Sequence, residues 1–493
     1  FHSAARSPKF PPVRVHRILP ALIAVAAAAL ADEGAPLGLR DAIASALERN
    51  ADLAREAVNV GVAEANIGVA HGPLDFRLGA DVSARRSPSF LGNQTEFLWD
   101  IFVGRRLPTA GDLELRLATE LVRNEFICQG LDAPADCTAY TPSVKLELRQ
   151  PLLRGGWPMV MEAPIRKAEI ARTAAAWRRA ARAGEMLRDV VSTYWEVAYA
   201  AREVEIRHGA LALARKQLEL TRAEIAAGRL APADSLGVER AIVENEEGVI
   251  LAENALLDRS ITLRRLMGER VNAGVAPYAP SDEPRVAPSA GDPRALAADA
   301  LARNPTLLAA RADGRVRAID VEVARRGTLP TLNAIGSIGE AGRASSYGDA
   351  VDPEALETTW AAGLSFVWQI GDRSAHGAEE IARLEQRRVS VTVSDLEADV
   401  AAQVARLTAS LRAAAKRVEV VQVQLRLAQQ NLEAEEARFT VGRVRNQDVL
   451  NRQEELRATR LRGVRAAVDY LRVQVALDAV TGAILERYGV AAR

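Results

Sequence analysis

The stretch from Arg373 to Val441 constrains this chain more than any other. It runs for 69 residues with no proline and one early glycine, Gly377. Apolar side chains recur at alternating steps of three and four, through Val389, Val393, Leu396, Val400 and Val404 and on to Leu425, Ala428 and Leu432. That spacing is a heptad-like seam, and Arg, Glu and Gln fill the other faces. As one helix the stretch would be about 100 Å long, too long to bury in a globular core. It predicts either a coiled-coil rod or a wall made of many helices.

Composition fits long helices better than the two or three globular domains that 493 residues would ordinarily make. Aromatic residues are only 4%, and 64 Lys plus Arg balance 64 Asp plus Glu, so no bulk charge favours nucleic acid. The four basic residues of the first 31 positions have no acidic counterpart there. Arg14 and Arg17, the apolar run Ile18 to Leu30 and Ala29-Leu30-Ala31 read as a secretory signal over residues 1–31, against a buried N-terminal helix as the other reading. No later apolar run reaches the length of a membrane-spanning helix. Cys128 and Cys137 share one loop, which in an exported chain reads as a local disulfide, or else as two free thiols.

The exported part opens with a helix from Gly38 to His71, and then the period changes. Residues 74–150 are β-rich. Ser143 to Arg149 alternates strictly, while Phe97–Val103 and Leu113–Leu117 alternate less cleanly about a turn at Pro108-Thr109-Ala110-Gly111. A long helix follows over 159–227, a turn at Gly228, and a helix over 233–267. After a linker at 271–291 the plan repeats: a helix from Leu296 to Arg326, a β segment at 331–370, the long helix at 373–441, a turn at Gly442 and a helix at 446–481, with a tail at 485–493. Ala300-Leu301-Ala302-Arg303-Asn304 echoes Ala46-Leu47-Glu48-Arg49-Asn50, and Asp234 and Asp448 fall at the same offset after the two turn glycines. The chain is an internal duplication over about 38–270 and 293–484.

Within the second β segment Trp360, Leu364, Phe366, Trp368 and Ile370 share one apolar face, opposite small polar residues. Such a strand suits a barrel wall between lipid and water, or else a soluble sheet packed on helix ends. Four to six strands cannot enclose a useful bore, so closure would need several chains.

The duplicated plan, the two turn segments Ala227 to Leu236 and Val441 to Leu450, and the run Gln150-Pro151-Leu152-Leu153-Arg154-Gly155-Gly156 together resemble the TolC family of outer-membrane factors. The resemblance covers nearly all of 38–484. It implies a mainly α fold with a β-barrel part: a homotrimer with four strands per protomer in a twelve-stranded outer-membrane barrel, continuous with a periplasmic α-barrel. It implies a passive exit duct for efflux or type I secretion, set in outer-membrane lipid and docked through a periplasmic adaptor to an inner-membrane pump. The first β segment is long enough for an extra hairpin, which leaves the strand number open.

By the same resemblance the periplasmic gate falls at Asp448 and Asn451, with Arg443 and Arg445 near enough to pair with Asp234 or Asp448. The bland reading of Asp448 is a helix-start cap. The turn residues Gly228, Arg229 and Leu230, and Gly442, Arg443 and Val444, are where the family meets its adaptor. The glycines have a plain structural reading too, as tight turns. No nucleotide loop, triad or metal-ligand spacing is present, so the sequence points to no enzyme, cofactor or nucleic-acid partner. The rival reading is a periplasmic coiled-coil adaptor that never enters the membrane.

Overall fold

The computed structural model describes residues 36–89, 92–124, 138–286, 291–441 and 443–489. The signal segment, both cysteines and Gly442 lie outside the described residues. In chain order the elements are β1 (Pro36–Leu37), α1 (Leu39–Arg49), α2 (Ala51–His71), β2 (Phe76–Ser89), β3 (Gly92–Arg106), β4 (Asp112–Asn124), β5 (Thr138–Pro151), α3 (Pro158–Ala226) and α4 (Asp234–Leu266). The second half continues with β6 (Ala279–Pro280), α5 (Pro293–Arg303), α6 (Pro305–Gly327), β7 (Thr331–Gly342), the short α7 (Tyr347–Ala350), β8 (Leu356–Val367), α8 (Arg373–Thr440), α9 (Asn446–Thr481) and α10 (Ala483–Arg487). These residues fall into two compact units, and both cut across the sequence halves. No helix among them is long and apolar enough to cross a membrane.

One unit holds the described residues 51–89, 92–124, 138–185, 291–408 and 477–489. It contains an antiparallel sheet of six strands in the order β2-β3-β4-β5-β7-β8. The first β segment therefore supplies four strands and the second two, against the four in all that the family resemblance implied. The hairpin turn between β3 and β4 is closed by Leu107 N–H donating to the Gly111 carbonyl at 2.7 Å, with Ala110 in a left-handed conformation at φ 67°. β8 ends at Val367, short of the expected Ile370. Val367 pairs with Thr331, the first residue of β7, so no ladder partner remains beyond it. The chain then turns through Gly371 at φ 79° and enters α8, which Asp372 caps by accepting from Ala375 N–H at 3.1 Å. The helical core of this unit includes Leu307 and Ala312 of α6, Val400 and Val404 of α8, and Ile484 and Leu485 of α10.

The other unit holds the described residues 36–50, 186–286, 409–441 and 443–476. Leu187, Val190 and Val197 of α3, Leu263 of α4, and Val468 and Tyr470 of α9 are sealed in its core. Further along the seam, Ala428 and Leu432 of α8 meet Val449 and Leu456 of α9. The positions that the heptad spacing selected, such as Leu411, Val418 and Val421, are buried here because that face meets other helices. Tyr194 is buried with its hydroxyl 2.7 Å from the Asp282 carboxylate and 2.9 Å from the Leu37 carbonyl. Burial and then the Asp282 carboxylate push its phenol well above the usual range.

The two helices expected over Gly38–His71 and Leu296–Arg326 are each broken in two, at Asn50 and Asn304. Both asparagines leave helical geometry, with φ/ψ of −66°/122° and −59°/118°. The reason is tertiary. Asn50 donates from its amide to the Leu266 carbonyl at 2.9 Å, and Asn304 does the same to the Val480 carbonyl at 2.9 Å. Each thus satisfies a carbonyl at a helix end that has no intrahelical partner. Asn304 also accepts from Leu307 N–H at 3.0 Å, and Pro305 opens the new helix.

Candidate functional site

The sheet is built with two unlike faces. Residues directly opposite in an antiparallel ladder share a face. The register runs Leu78↔Val103↔Leu115↔Leu146↔Ile338↔Trp360 across all six strands, so one face is apolar from edge to edge. The expected Trp360, Leu364 and Phe366 stand on this face and are exposed, while Trp368 and Ile370, also exposed, lie past the end of β8. The opposite face is charged. Arg116 donates to Asp100 at 2.6 Å and to Glu114 at 2.7 Å, and Lys145 donates to Glu147 at 2.8 Å. Alternation between an apolar outside and a polar inside is the pattern of a strand between lipid and an aqueous lumen.

At the foot of the sheet, Gln150 holds the β3–β4 turn, donating to the Thr109 carbonyl at 2.8 Å and accepting from the Thr109 hydroxyl at 2.9 Å. Arg154 follows, with Nε on the Leu329 carbonyl at 2.7 Å and Nη2 on the Asp372 carboxylate at 2.5 Å. The run from Gln150 to Gly156 therefore joins the sheet to the helices that leave it.

In the first helix turn, Gly228 at φ 73° ends α3. Its N–H donates to Ile225 at 2.9 Å, and Arg229 N–H donates five residues back to Glu224 at 2.9 Å. This is a Schellman ending, which needs a residue at positive φ. In the second turn Arg443 N–H reaches five residues back to Arg438 at 3.0 Å. Asp234 then accepts from Ala231 N–H at 2.9 Å, and Asp448 accepts from Arg445 N–H at 3.0 Å. The two aspartates do the same work: each reaches back three residues to a free N–H at a helix start. Arg229 pairs with Glu224, and Asn451 accepts from the Gln447 amide at 3.1 Å. Among the described residues no ion pair joins Arg443 or Arg445 to Asp234 or Asp448. Gly228, Arg229 and Arg443 are exposed, and Leu230 and Val444 are half-buried.

A buried polar group at this end escapes the sequence reading. Gln217 of α3 donates to the Asn446 side chain at 2.7 Å, and Asn446 donates to the Thr221 hydroxyl at 3.2 Å. All three are buried. Asn446 stands where the first turn has Pro232, and that departure from the duplication was the available signal. Among the described residues no cluster of His, Cys, Asp and Glu is placed to hold a metal ion.

The chain matches the outer membrane efflux protein family over residues 42–269 and 296–483. No curated relative matches its sequence. Among solved structures it resembles the channel protein CusC at 14% identity, with 90% of this chain and 91% of that one covered and a TM-score of 0.65. The outer-membrane channel OprN shares 16% identity over 90% and 89% of the two chains, with a TM-score of 0.65. The outer membrane protein VceC of Vibrio cholerae shares 16% over 90% and 96%, with a TM-score of 0.64. At such identities these likenesses show the fold.

Proposed function

The chain belongs to the outer membrane efflux protein family, and on that premise we propose that this exit duct of the outer membrane works as a homotrimer fed by an inner-membrane pump through a periplasmic adaptor. A periplasmic coiled-coil adaptor is not the favoured reading, since the matched family is one of outer-membrane proteins. The observation that carries the duct is the two-faced sheet, apolar toward lipid and charged toward a lumen. Energy for export comes from its partners.

Exposed apolar stripes support the trimer. Leu236, Val243 and Ile250 of α4 stand seven residues apart and are about two-thirds exposed, and Val420, Val423 and Leu427 of α8 form a second stripe. Heptad spacing of this kind is the seam of helices packed in a tube. In the other unit, Val58, Val62 and Val69 of α2 are equally bare. Each stripe is covered by a neighbouring copy.

The two turns form the periplasmic end. Gly228, Arg229 and Leu230, with Gly442, Arg443 and Val444, offer the adaptor an exposed rim. Asp448, repeated three times around the axis, makes a ring that attracts cations, with Asn451 one helical turn further on. Only one Asp448 oxygen is engaged by Arg445 N–H, which leaves the other free for the lumen.

Membrane fractionation tests the duct, which must resist a salt wash and come out only in detergent. Release by salt alone overturns the reading. Cross-linking in cells, followed by capture through this chain, tests the docking: an adaptor is the expected companion, and its absence from trimer-containing fractions sinks that part.

A further inference from the structure

We propose that three copies of this chain close an eighteen-stranded barrel, by pairing β8 of one copy with β2 of the next. The inference rests on the trimeric reading above and goes beyond it in the number of strands and the width of the bore. Three copies of the six-stranded sheet make eighteen strands, against the twelve of the family resemblance.

The first support is that the added strands are built for lipid. β2 turns Phe76, Leu78 and Val82 to the apolar face, and its partners on β3 in the same register are Arg105, Val103 and Trp99. Phe76, Leu78 and Val82 are about 70% exposed or more, as bare as Trp360 and Leu364 on β8. If the β2–β3 hairpin stood clear of the membrane, this surface would be an apolar patch in water. Its other face carries Arg77, Asp81 and Ser83 on β2, and Asp100 on β3 joins the Arg116 network of β4. Apart from Leu98 and Phe102 on the charged face and Arg86 and Arg105 near the ends of the apolar face, the hairpin thus continues both faces of the wall. It is also bonded to the wall along its whole length, from Gln94↔Asn124 to Arg106↔Asp112.

The second support is the pair of free edges. β2 and β8 end the sheet and do not pair with one another. Within a bilayer an unpaired row of N–H and C=O groups is not tolerated. Six strands cannot close on themselves around a lumen, because eight already give an interior just filled by side chains. So each edge must find another chain. β2 has 14 residues and β8 has 12, and with an even number of alternating strands the two edges run antiparallel. From Thr358 to Val367, β8 carries no charge and no proline, the devices that blunt edges meant to stay free. Pairing sets Trp360, Leu364 and Phe366 beside Phe76, Leu78 and Val82 on the lipid face, and the small Ala361, Gly363 and Ser365 beside the charged row of β2 on the lumen face. Neither side brings like charges together.

The third support lies in the duplication. From Asn50 to Gly268 the first half is about forty residues longer than the second half from Asn304 to Gly482. That surplus is one hairpin of two strands of this length with its turn. At a common tilt, barrel diameter grows roughly in proportion to strand number, so the bore is about one and a half times that of a twelve-stranded wall.

Electron cryomicroscopy of the full chain in lipid nanodiscs is the test. A three-fold particle with eighteen strands in the membrane belt is the expected result. A three-fold particle with twelve, the β2–β3 hairpin lying outside the wall, overturns this inference and leaves the trimer standing. A particle without three-fold symmetry overturns both. A photo-cross-linking residue in place of the exposed Ala80 on β2 gives a second measurement. Capture of the segment 356–367 from another copy is expected, and capture confined to the same copy and to lipid overturns the pairing.

Discussion

Arg154 and Asp372 meet at 2.5 Å across the junction where the sheet gives way to helices, one from each half of the duplicated chain. The Arg154 guanidinium, and then the Ala375 N–H, hold the Asp372 carboxyl below the usual carboxylate range. A lowered folded pKa gives stability that is full above the ordinary range and is lost as pH falls through the folded value. Arg154→Ala should lower the melting temperature at pH 7, and the gap from the parent protein should narrow as pH falls toward 3. Tryptophan fluorescence melts across that range would show it, and an equal gap at every pH contradicts it.

The glycines that end α4 and α9 should differ in tolerance. A Cβ at Gly268 would overlap the Arg49 carbonyl, whereas one at Gly482 would lie 3.0 Å from the Arg303 carbonyl oxygen. Both sit at positive φ, 77° and 76°. Gly482→Ala should cost about 1–2 kcal/mol from backbone conformation alone. Gly268→Ala should cost more, because the α1 end must also move. Denaturant titration of the helical signal measures both.

Asp478 titrates the other way from Asp372. Burial pushes its carboxyl from the ordinary 3.8 up to about 6, against the pull of the Arg487 guanidinium paired with it. Between those two values the unfolded chain ionises first, so this group's contribution falls as pH rises through the window and is level above it. Asp478→Asn removes that slope. Melting curves of the two proteins from pH 4 to pH 7 should therefore converge at the acid end and separate with rising pH.

Two substitutions separate the roles of Asp448. Asn can still accept from Arg445 N–H but carries no charge, and Ala can do neither. Asp448→Asn should reduce cation selectivity in planar bilayers with little change in stability. Asp448→Ala should raise conductance and also loosen the start of α9, by about 1 kcal/mol. Unchanged selectivity in Asp448→Asn would leave the carboxylate as a helix cap alone.

Val243→Arg tests the stripe on α4. A charge at the centre of a seam between copies should dissociate the trimer or abolish its resistance to detergent. A variant that keeps the trimer and its detergent resistance contradicts the seam.

Much of this was readable from spacing alone. Val404, Leu411 and Val418 announce their burial by recurring every three or four residues, because one helix face meets one neighbour. Trp360, Leu364 and Phe366 announce a shared, exposed apolar face by alternation. What spacing could not reveal was made by distant contacts. Asn50 breaks a helix because Leu266 offers it a carbonyl, and nothing adjacent in sequence says so. The echo of Ala-Leu-x-Arg-Asn at Asn304 was the only trace. β3 reads poorly because Leu98 and Phe102 fall on the charged face. There Phe102 fills the space beside Gly79 and lies under the Arg116 guanidinium, 5.0 Å from the ring centre. The Gln217–Asn446–Thr221 group joins residues more than two hundred positions apart, beyond the reach of any local pattern.

The turn at Leu107–Gly111 carries a consequence of parity. A chain that enters the membrane from one side and must return to that side can gain strands only in twos. One added strand would deliver every later residue, including α3 and α4, to the wrong compartment. A hairpin such as β2–β3, joined to the rest of the sheet through the turn that Gln150 holds, is therefore the smallest step by which such a wall can widen. Pore width becomes a trait that selection can change in steps.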